Sequence, residues 1–562
     1  MDCSDRIISE DYAEFLVDLT TISEEDIATQ DICYDLIHNN VVVLYAPIAS
    51  LPNNIIQLYG YSVLPNCFGL MDIGSLEATG VTRIRNNPNL NLRGQGVIIG
   101  IIDTGIEYTH GAFKNADGTS KIISIWDQTI QSTNTPEGFF YGTEYTQEQI
   151  NAALASDNPL SLVPTTDENG HGTFLAGIAA GNIDNQNNFS GVAPDAELIV
   201  VKLKQAKRFI RNFFLIPQDV VCYQETDIML AIKYITNAAS KLNRPLSLCI
   251  GLGTSQGAHD ARGYLSTYLS ILADRRGIGV SIAAGNEGNR GHHFMGSVDV
   301  SNGFETVELR VGPNTAGFSM ELWGTNPNLF SIDILSPAGE FIPRIPARLR
   351  ESQEIRFIFE QTIINIDYEI VEFQTGDGLI LMRFRNPEEG IWRFRVYSSS
   401  TLNPLFHIWL PIYGFINDDT YFTEPNPYVT LTSPGNTYVP VVATTYDYTD
   451  QSLYLNASRG FTRVNFVSPS IAAPGVDIIG PSLNNEYTFR SGSSVAAAHT
   501  AGVLALLLEW SIEMNPRPFR SIEMKNILLL GAKRDPNTTY PNEEWGYGIL
   551  DIYNSFLSLR GA

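Results

Sequence analysis

The stretch from Arg490 to Leu508 constrains this chain more than any other: Arg-Ser-Gly-Ser-Ser-Val-Ala-Ala-Ala-His, then Thr-Ala-Gly-Val-Leu-Ala-Leu-Leu-Leu. It opens on a turn of small residues, Gly492-Ser493-Ser494, and continues as a helix without charge until Glu509. Nothing on such a helix suits water, so it must be buried. It is short and rich in small residues, which marks a core helix, not a membrane span. A serine at the first turn has two readings. It is an N-cap, or it is a nucleophile held where orphan N–H groups and the helix dipole favour a developing oxyanion. The local sequence leaves both open. The rest of the chain has to supply a base, an orienting acid and an oxyanion donor.

The totals narrow the function classes. A length of 562 residues with 44% apolar and 17% charged side chains describes a globular chain of two to four domains. The net charge of −25 argues against nucleic acid as a partner and against docking to an anionic membrane. Cys3, Cys33, Cys67, Cys222 and Cys249 are scattered without a CxxC pair, so free thiols are expected and neither a disulfide framework nor a zinc site. Met1 to Tyr12 is acidic without an apolar core, so synthesis in the cytoplasm without a signal peptide is expected.

Taken in order, residues 1–62 read as a small α+β unit. Phe15–Leu19, Val41–Tyr45 and Ile55–Tyr59 are strand candidates, Glu24–Ile37 is helix-like, and Gly60–Asn66 is extended. Such a unit has too little core to stand alone and must lean on a partner. The texture changes near Phe68. Gly96-Val-Ile-Ile-Gly-Ile-Ile-Asp-Thr-Gly105 is a β-branched run closed by Asp-Thr-Gly, the pattern of a strand buried on both faces. Glu197–Leu203, Ser247–Gly251 and Gly279–Gly285 repeat it, with helical patterns over Asp227–Ser240 and Tyr264–Arg275. This alternation predicts an α/β, doubly wound parallel sheet spanning 63–296 and 429–562. Between them, residues 297–428 carry short alternating runs, at Phe304–Val311, Phe318–Trp323, Phe330–Leu335, Ile355–Phe359 and Trp392–Val396. They predict an inserted all-β sandwich or jelly-roll domain.

Three residues answer what Ser494 requires. Asp103 ends a buried strand, where α/β sheets place their sites; it also fits a turn cap. His171 sits in Asn169-Gly-His-Gly-Thr173 ahead of a small-residue helix, as an accessible imidazole or a structural histidine. Asn286 closes Ala283-Ala-Gly-Asn286 at another strand end, as an oxyanion donor or a turn residue. Each alone is ambiguous, but their order across one α/β domain is hard to explain as coincidence.

These motifs, with Ile102-Asp-Thr-Gly105, Gly191-Val-Ala-Pro194, Ala473-Pro-Gly475 and Gly492-Ser-Ser494, resemble those of the subtilisin-like serine proteases, the subtilases. The resemblance implies Ser494 as nucleophile, His171 as general base and then acid, Asp103 as its orienter, and Asn286 with the Ser494 N–H as oxyanion hole. It makes Ser493 the rejected nucleophile. It implies Gly251, Leu252 and Gly253 as the edge that pairs with substrate backbone, and Gly285 as part of the wall beside it. Ala498 stands where the family usually has proline, and Gly251 where serine is common.

The resemblance also makes residues 1–62 a propeptide, an intramolecular chaperone cut off by the enzyme itself, with the join between Tyr59 and Asn66. The propeptide and the β insertion together resemble the Csp germination proteases of clostridial spores. There, a zymogen of a cortex-lytic enzyme is the substrate, the propeptide can stay bound, and some members are pseudoproteases. The implied partners are the chain's own propeptide and a protein zymogen. A monomer deposited in the spore cortex or coat is expected, with no nucleic acid and no membrane insertion. No cofactor is expected. Family members often bind calcium, but the Asp184–Asn188 loop reads as solvated, and His292-His293 as surface; no metal ligands are assigned.

Overall fold

The computed structural model describes residues 3–560 apart from 19–32, 39, 53, 71–77, 89, 300, 350, 401, 403 and 515–516. Its centre is an eight-stranded sheet. The order is Ile471–Pro474, Val441–Tyr446, Ile278–Ala283, Leu246–Ile250, Ile98–Asp103, Glu197–Lys202, Ile122–Asp127 and Thr143–Thr146. All neighbours are parallel except the last pair.

The β-branched run beginning at Gly96 explains why this sheet is covered on both faces. Ile99 and Ile101 enter the core that holds the helices His171–Ala180 and Ser493–Met514. Ile98 and Ile102 enter the opposite core, with the helices Glu225–Lys241 and Tyr264–Ala273. A strand with both faces dry can afford no polar alternation. The Ser493–Met514 helix is long and apolar enough to cross a membrane, yet 89% of its apolar window is buried inside the protein. Serines on the sheet bind its backbone: Ser281 Oγ donates to the Ala497 carbonyl at 2.7 Å and Ser247 Oγ to that of Ala501 at 2.6 Å. The helix runs unbroken through Ala498.

The inserted region is two antiparallel sheets, opening at the His293–Ser297 strand, slightly before the expected boundary at 297. Val307, Leu309 and Trp392 of one sheet share a core with Met320 and Leu322 of the other. Ile355–Phe359 is shifted from expectation: the paired strand is Glu351–Arg356.

The N-terminal unit is a helix, Cys3–Ile8, and a three-stranded antiparallel sheet ordered Tyr12–Asp18, Val41–Pro47, Cys33–His38. It leans on its surroundings as its size requires. Ile7, Leu16, Val43 and Tyr45 join the core around the Glu225–Lys241 helix, while Phe15 and Val42 meet Phe214 and Trp409. Three sequence expectations fail here. Of the helix expected over Glu24–Ile37, residues 24–32 lie outside the described residues, and Cys33–His38 is a strand. It buries Cys33, Asp35 and Ile37 and exposes Tyr34 and Leu36, so polarity does not report its alternation. Ile55–Tyr59 is a helix, not a strand, burying Ile55 and Ile56, and a 3-10 turn at Tyr61–Val63 replaces extended chain. Five residues are too few for periodicity to separate the two states. A fourth expectation fails at Cys33, which is disulfide-bonded, while Cys67, Cys222 and Cys249 are free and buried.

Candidate active site

Asp103, His171 and Ser494 come together from a strand end and two helix starts. His171 Nδ1 lies 2.8 Å from Asp103 Oδ1, and His171 Nε2 lies 3.1 Å from Ser494 Oγ. With Nδ1 donating to the carboxylate, Nε2 faces the hydroxyl as the acceptor of its proton. All three are buried, with relative exposures of 0% for Asp103 and Ser494 and 2% for His171.

The supports of this triad are residues that sequence reading did not single out. Asp103 Oδ1 also accepts from the Thr104 N–H at 2.8 Å, and Thr104 Oγ1 accepts from the Gly172 N–H at 2.9 Å, which ties the strand end to the histidine's helix. Asp167 accepts from the Asn169, Gly170 and Thr173 N–H groups and from Thr173 Oγ1, at 2.8–3.0 Å. It thereby holds the turn that presents His171. An Asp just before a helix start is a capping signal legible in sequence.

The oxyanion side is equally constrained. Asn286 Oδ1 accepts from the Ser493 N–H at 3.0 Å, so its Nδ2 is the end left to donate. Ser493 Oγ accepts from the Gly285 N–H at 3.1 Å. Ser493 is therefore a tie between the helix start and the Gly285-Asn286 turn, while Ser494 faces the base. Gly285 has φ +112°, and a Cβ there would come within 2.6 Å of Ser458 Oγ and 2.7 Å of Thr432 Oγ1, so only glycine fits. Together the Asn286 amide and the N–H groups of the helix's first turn offer donors to one oxyanion.

The groove edge expected at Gly251, Leu252 and Gly253 is a strand at Leu252–Gly253, and it is already paired. The strand Cys67–Leu70 lies between it and Tyr223–Gln224, antiparallel to both, with Leu252 opposite Leu70, Gly253 opposite Gly69 and Gln224 opposite Cys67. Gly251 is the close approach: a Cβ there would stand 2.6 Å from Leu175 Cδ1, 3.1 Å from Ser494 Cβ and 3.7 Å from His171 Cε1. A side chain at this position would displace the end of Leu175 and approach the nucleophile.

Burial, with Asp103 nearby, pushes the Cys249 thiol well up, so it is no rival nucleophile. Glu287, on the groove wall, accepts from the Tyr413 N–H at 3.1 Å and lies 2.9 Å from His292 Nδ1, so its carboxylate is committed away from substrate. His292 and His293 are not surface residues; they are 4% and 1% exposed, and His293 Nε2 lies 3.0 Å from His407 Nδ1. In the Asp184–Asn188 loop, the Asp184 oxygens accept from Gln186 N, Asn187 N, Asn187 Nδ2 and Tyr487 Oη at 2.9–3.1 Å. Among the described residues, no group of three or more His, Cys, Asp or Glu converges as metal ligands.

Comparisons agree with this geometry. The sequence profile of the subtilase family matches residues 94–309 and 417–548. The solved structure of a CspB protease from Clostridium perfringens is similar, with a TM-score of 0.77 and 28% identity, covering 86% of this chain and 97% of that one. The C5a peptidase of Streptococcus pyogenes serotype M6 is 22% identical over 82% of this chain, and the subtilisin-like protease SBT3 of Solanum lycopersicum 24% over 79%. The chain spans 39% and 59% of the lengths of those two relatives.

Proposed function

This chain belongs to the subtilase family, and on that premise we propose that it is a serine endopeptidase that cuts off its own N-terminal segment and then activates a protein zymogen by limited proteolysis. The observation that carries the reading is the unbroken relay from Asp103 through His171 to Ser494 beside the Asn286 amide. His171 takes the Ser494 proton as Oγ attacks a peptide carbonyl. The oxyanion is met by Asn286 Nδ2 and the backbone N–H of Ser494. His171 then protonates the leaving amine, and water resolves the acyl-enzyme.

The likeness to a clostridial CspB protease supports a zymogen of a spore cortex-lytic enzyme as the substrate, and a place in the spore cortex or coat. The protein acts as a monomer whose first partner is its own N-terminal unit. A second reading has an observation of its own. The substrate edge at Leu252–Gly253 is occupied by the chain itself, which suits a self-processed scaffold or germinant-signalling protein whose cleft stays blocked. To separate them, purified wild type and Ser494→Ala would each be incubated with the zymogen from spores. Conversion by the wild type alone is expected. Self-cleavage without conversion would transfer the argument to the scaffold, and no serine-dependent cleavage of either kind would end the protease reading.

A further inference from the structure

Resting on the protease reading above, we propose that His259 is a positioning residue for the reaction. Its Nδ1–H ties the loop that follows the substrate edge to the floor lying between that edge and the oxyanion turn.

The floor is the segment Leu431–Ser433, and its hydrogen bonds show its place. Thr254, next after the Leu252–Gly253 strand, exchanges both backbone bonds with Ser433, at 3.0 and 2.8 Å. On the other side the Thr432 N–H donates to the Ala284 carbonyl at 3.0 Å, one residue before Gly285. Thr432 Oγ1 is also among the atoms that forbid a Cβ at Gly285. A shift of Leu431–Ser433 therefore moves the substrate edge and the Asn286 turn together.

His259 reaches this floor from the loop beyond the edge. Its Nδ1 lies 2.7 Å from the Leu431 carbonyl oxygen, and its Nε2 2.9 Å from that of Ser255. Both carbonyls belong to buried residues, and among the described residues neither accepts from a backbone N–H. Burial brings the imidazolium from 6.5 down to about 4, so at neutral pH the ring has one N–H to give. The shorter contact takes it. That bond joins segments 172 residues apart, whereas the Ser255 contact stays within the loop.

The loop adopts strained backbone to present this ring. His259 has φ +51° and Ala261 φ +70°, a region that residues with side chains avoid and that gathers at functional sites. The inserted sandwich backs the strained loop. Trp409, which ends the strand Leu405–Trp409, lies flat against the His259 ring, with centroids 4.1 Å apart and planes 8° apart. Trp409 Nε1 also donates to the Val429 carbonyl at 3.1 Å, two residues ahead of the floor. Arg463 Nε donates to the Ala258 carbonyl at 2.6 Å, beside the ring's own backbone. The inserted domain thus braces the groove from behind, while the triad and the oxyanion donors all come from the catalytic domain.

Three substitutions separate the tie from mere filling of space. His259→Asn puts an amide nitrogen where Nδ1 stands, and asparagine accepts a positive φ. His259→Gln puts it where Nε2 stands. His259→Phe keeps a ring on Trp409 and removes both donors. Each is made in full-length Ser494→Ala protein, and amide hydrogen exchange is followed over residues 252–256 and 430–434 at pH 7. Phe and Gln should accelerate exchange in both segments about tenfold or more, as a buried carbonyl loses its donor, with Asn within about threefold of the parent. Equal acceleration by all three, or by none, would overturn the tie. Protection by Gln and not by Asn would place the proton on Nε2 and overturn it too.

The same substitutions with Ser494 intact are then assayed on a peptide the wild type cleaves. His259→Phe should raise KM about tenfold with kcat within about threefold, and His259→Asn should restore KM. A fall in kcat at unchanged KM would overturn the positioning role and leave the protease reading standing. If the wild type cleaves no peptide, that counts against the protease reading and against a role for His259 in it, and hydrogen exchange still decides the tie itself.

Discussion

Glu14 offers the sharpest quantitative test of how the N-terminal unit is held. It lies on the Tyr12–Asp18 strand, its side chain 2% exposed, between the N-terminal sheet and the catalytic core. Its carboxylate lies 3.0 Å from Lys207 Nζ and 3.4 Å from Lys204 Nζ, and accepts from Thr226 Oγ1 at 2.6 Å. Burial opposes its ionisation, but the two ammonium groups and the hydroxyl outweigh burial and bring the carboxyl from 4.5 down to about 2. At roughly 1.4 kcal/mol per pH unit, that difference corresponds to about 3 kcal/mol. Breaking a buried ion pair by removing one partner typically costs about 3–5 kcal/mol, the same order.

The sign follows from a depressed carboxyl. The stabilisation is complete above pH 4.5 and is lost as pH falls toward 2. We therefore expect Glu14→Gln, in a Ser494→Ala background that keeps the chain whole, to accelerate amide hydrogen exchange across Tyr12–Asp18 about a hundredfold at pH 7. By pH 3 the difference between the two proteins should shrink to less than half in free energy, after correction for intrinsic exchange. Asp227, which burial lifts to about 7 against Lys204 and which the Glu14 charge raises further, responds to the substitution, so a Glu14→Gln, Asp227→Asn double variant is compared with Asp227→Asn alone. An acceleration under threefold at pH 7, or a difference that does not fall with pH, would refute the claim that this buried pairing clamps the unit.

Three further outcomes are expected. Asn286→Asp keeps an acceptor for the Ser493 N–H but removes the amide donor, so kcat should fall about 10²–10³-fold with KM little changed, measured on any peptide the wild type cleaves. Ser493→Ala leaves the Gly285 N–H unpaired in a buried turn; a stability loss of about 1–3 kcal/mol in urea unfolding should accompany a reduced kcat, and full activity would contradict its role as a tie. Cys67, Cys222 and Cys249 should resist a thiol reagent at pH 8 until denaturant is added, since burial pushes the Cys67 and Cys249 thiols well above their ordinary value; labelling in seconds without denaturant would contradict it.

The active site was more legible in the sequence than the fold's periphery, for a physical reason. Asp103, His171, Asn286 and Ser494 stand where buried strands end or small-residue helices begin, and those runs are unmistakable when both faces are dry. The residues that brace them were less visible. Thr104, Asp167 and Ser493 act through hydrogen bonds to backbone and side-chain groups of kinds that ordinary turn residues also make. The Cys33–His38 strand hid behind an inverted pattern, with Asp35 inside and Leu36 outside; Asp35 is tolerated there because Lys233 Nζ lies 3.3 Å away. Ile55–Tyr59 was too short to carry a period. His293 is buried against Trp409 and His407, which belong to a strand far along the chain, while His292 pairs with Glu287, five residues before it. The pairing of Cys67–Leu70 into the groove left no local mark, because an extended tetrapeptide looks the same whether it is bound or free.

The spacing of the triad along the chain also sets a clock. The base and the nucleophile, 3.1 Å apart when folded, are 323 residues apart in sequence. At about 5–20 residues per second, a ribosome needs roughly 15–65 s to make the interval between them. Until Ser494 has left the ribosome and its helix has slid into the core already begun by Ile99 and Ile101, no peptide bond nearby can be attacked. A chain with this order of residues is harmless to its own synthesis and to its neighbours on the polysome until Ser494 has been made and folded into place.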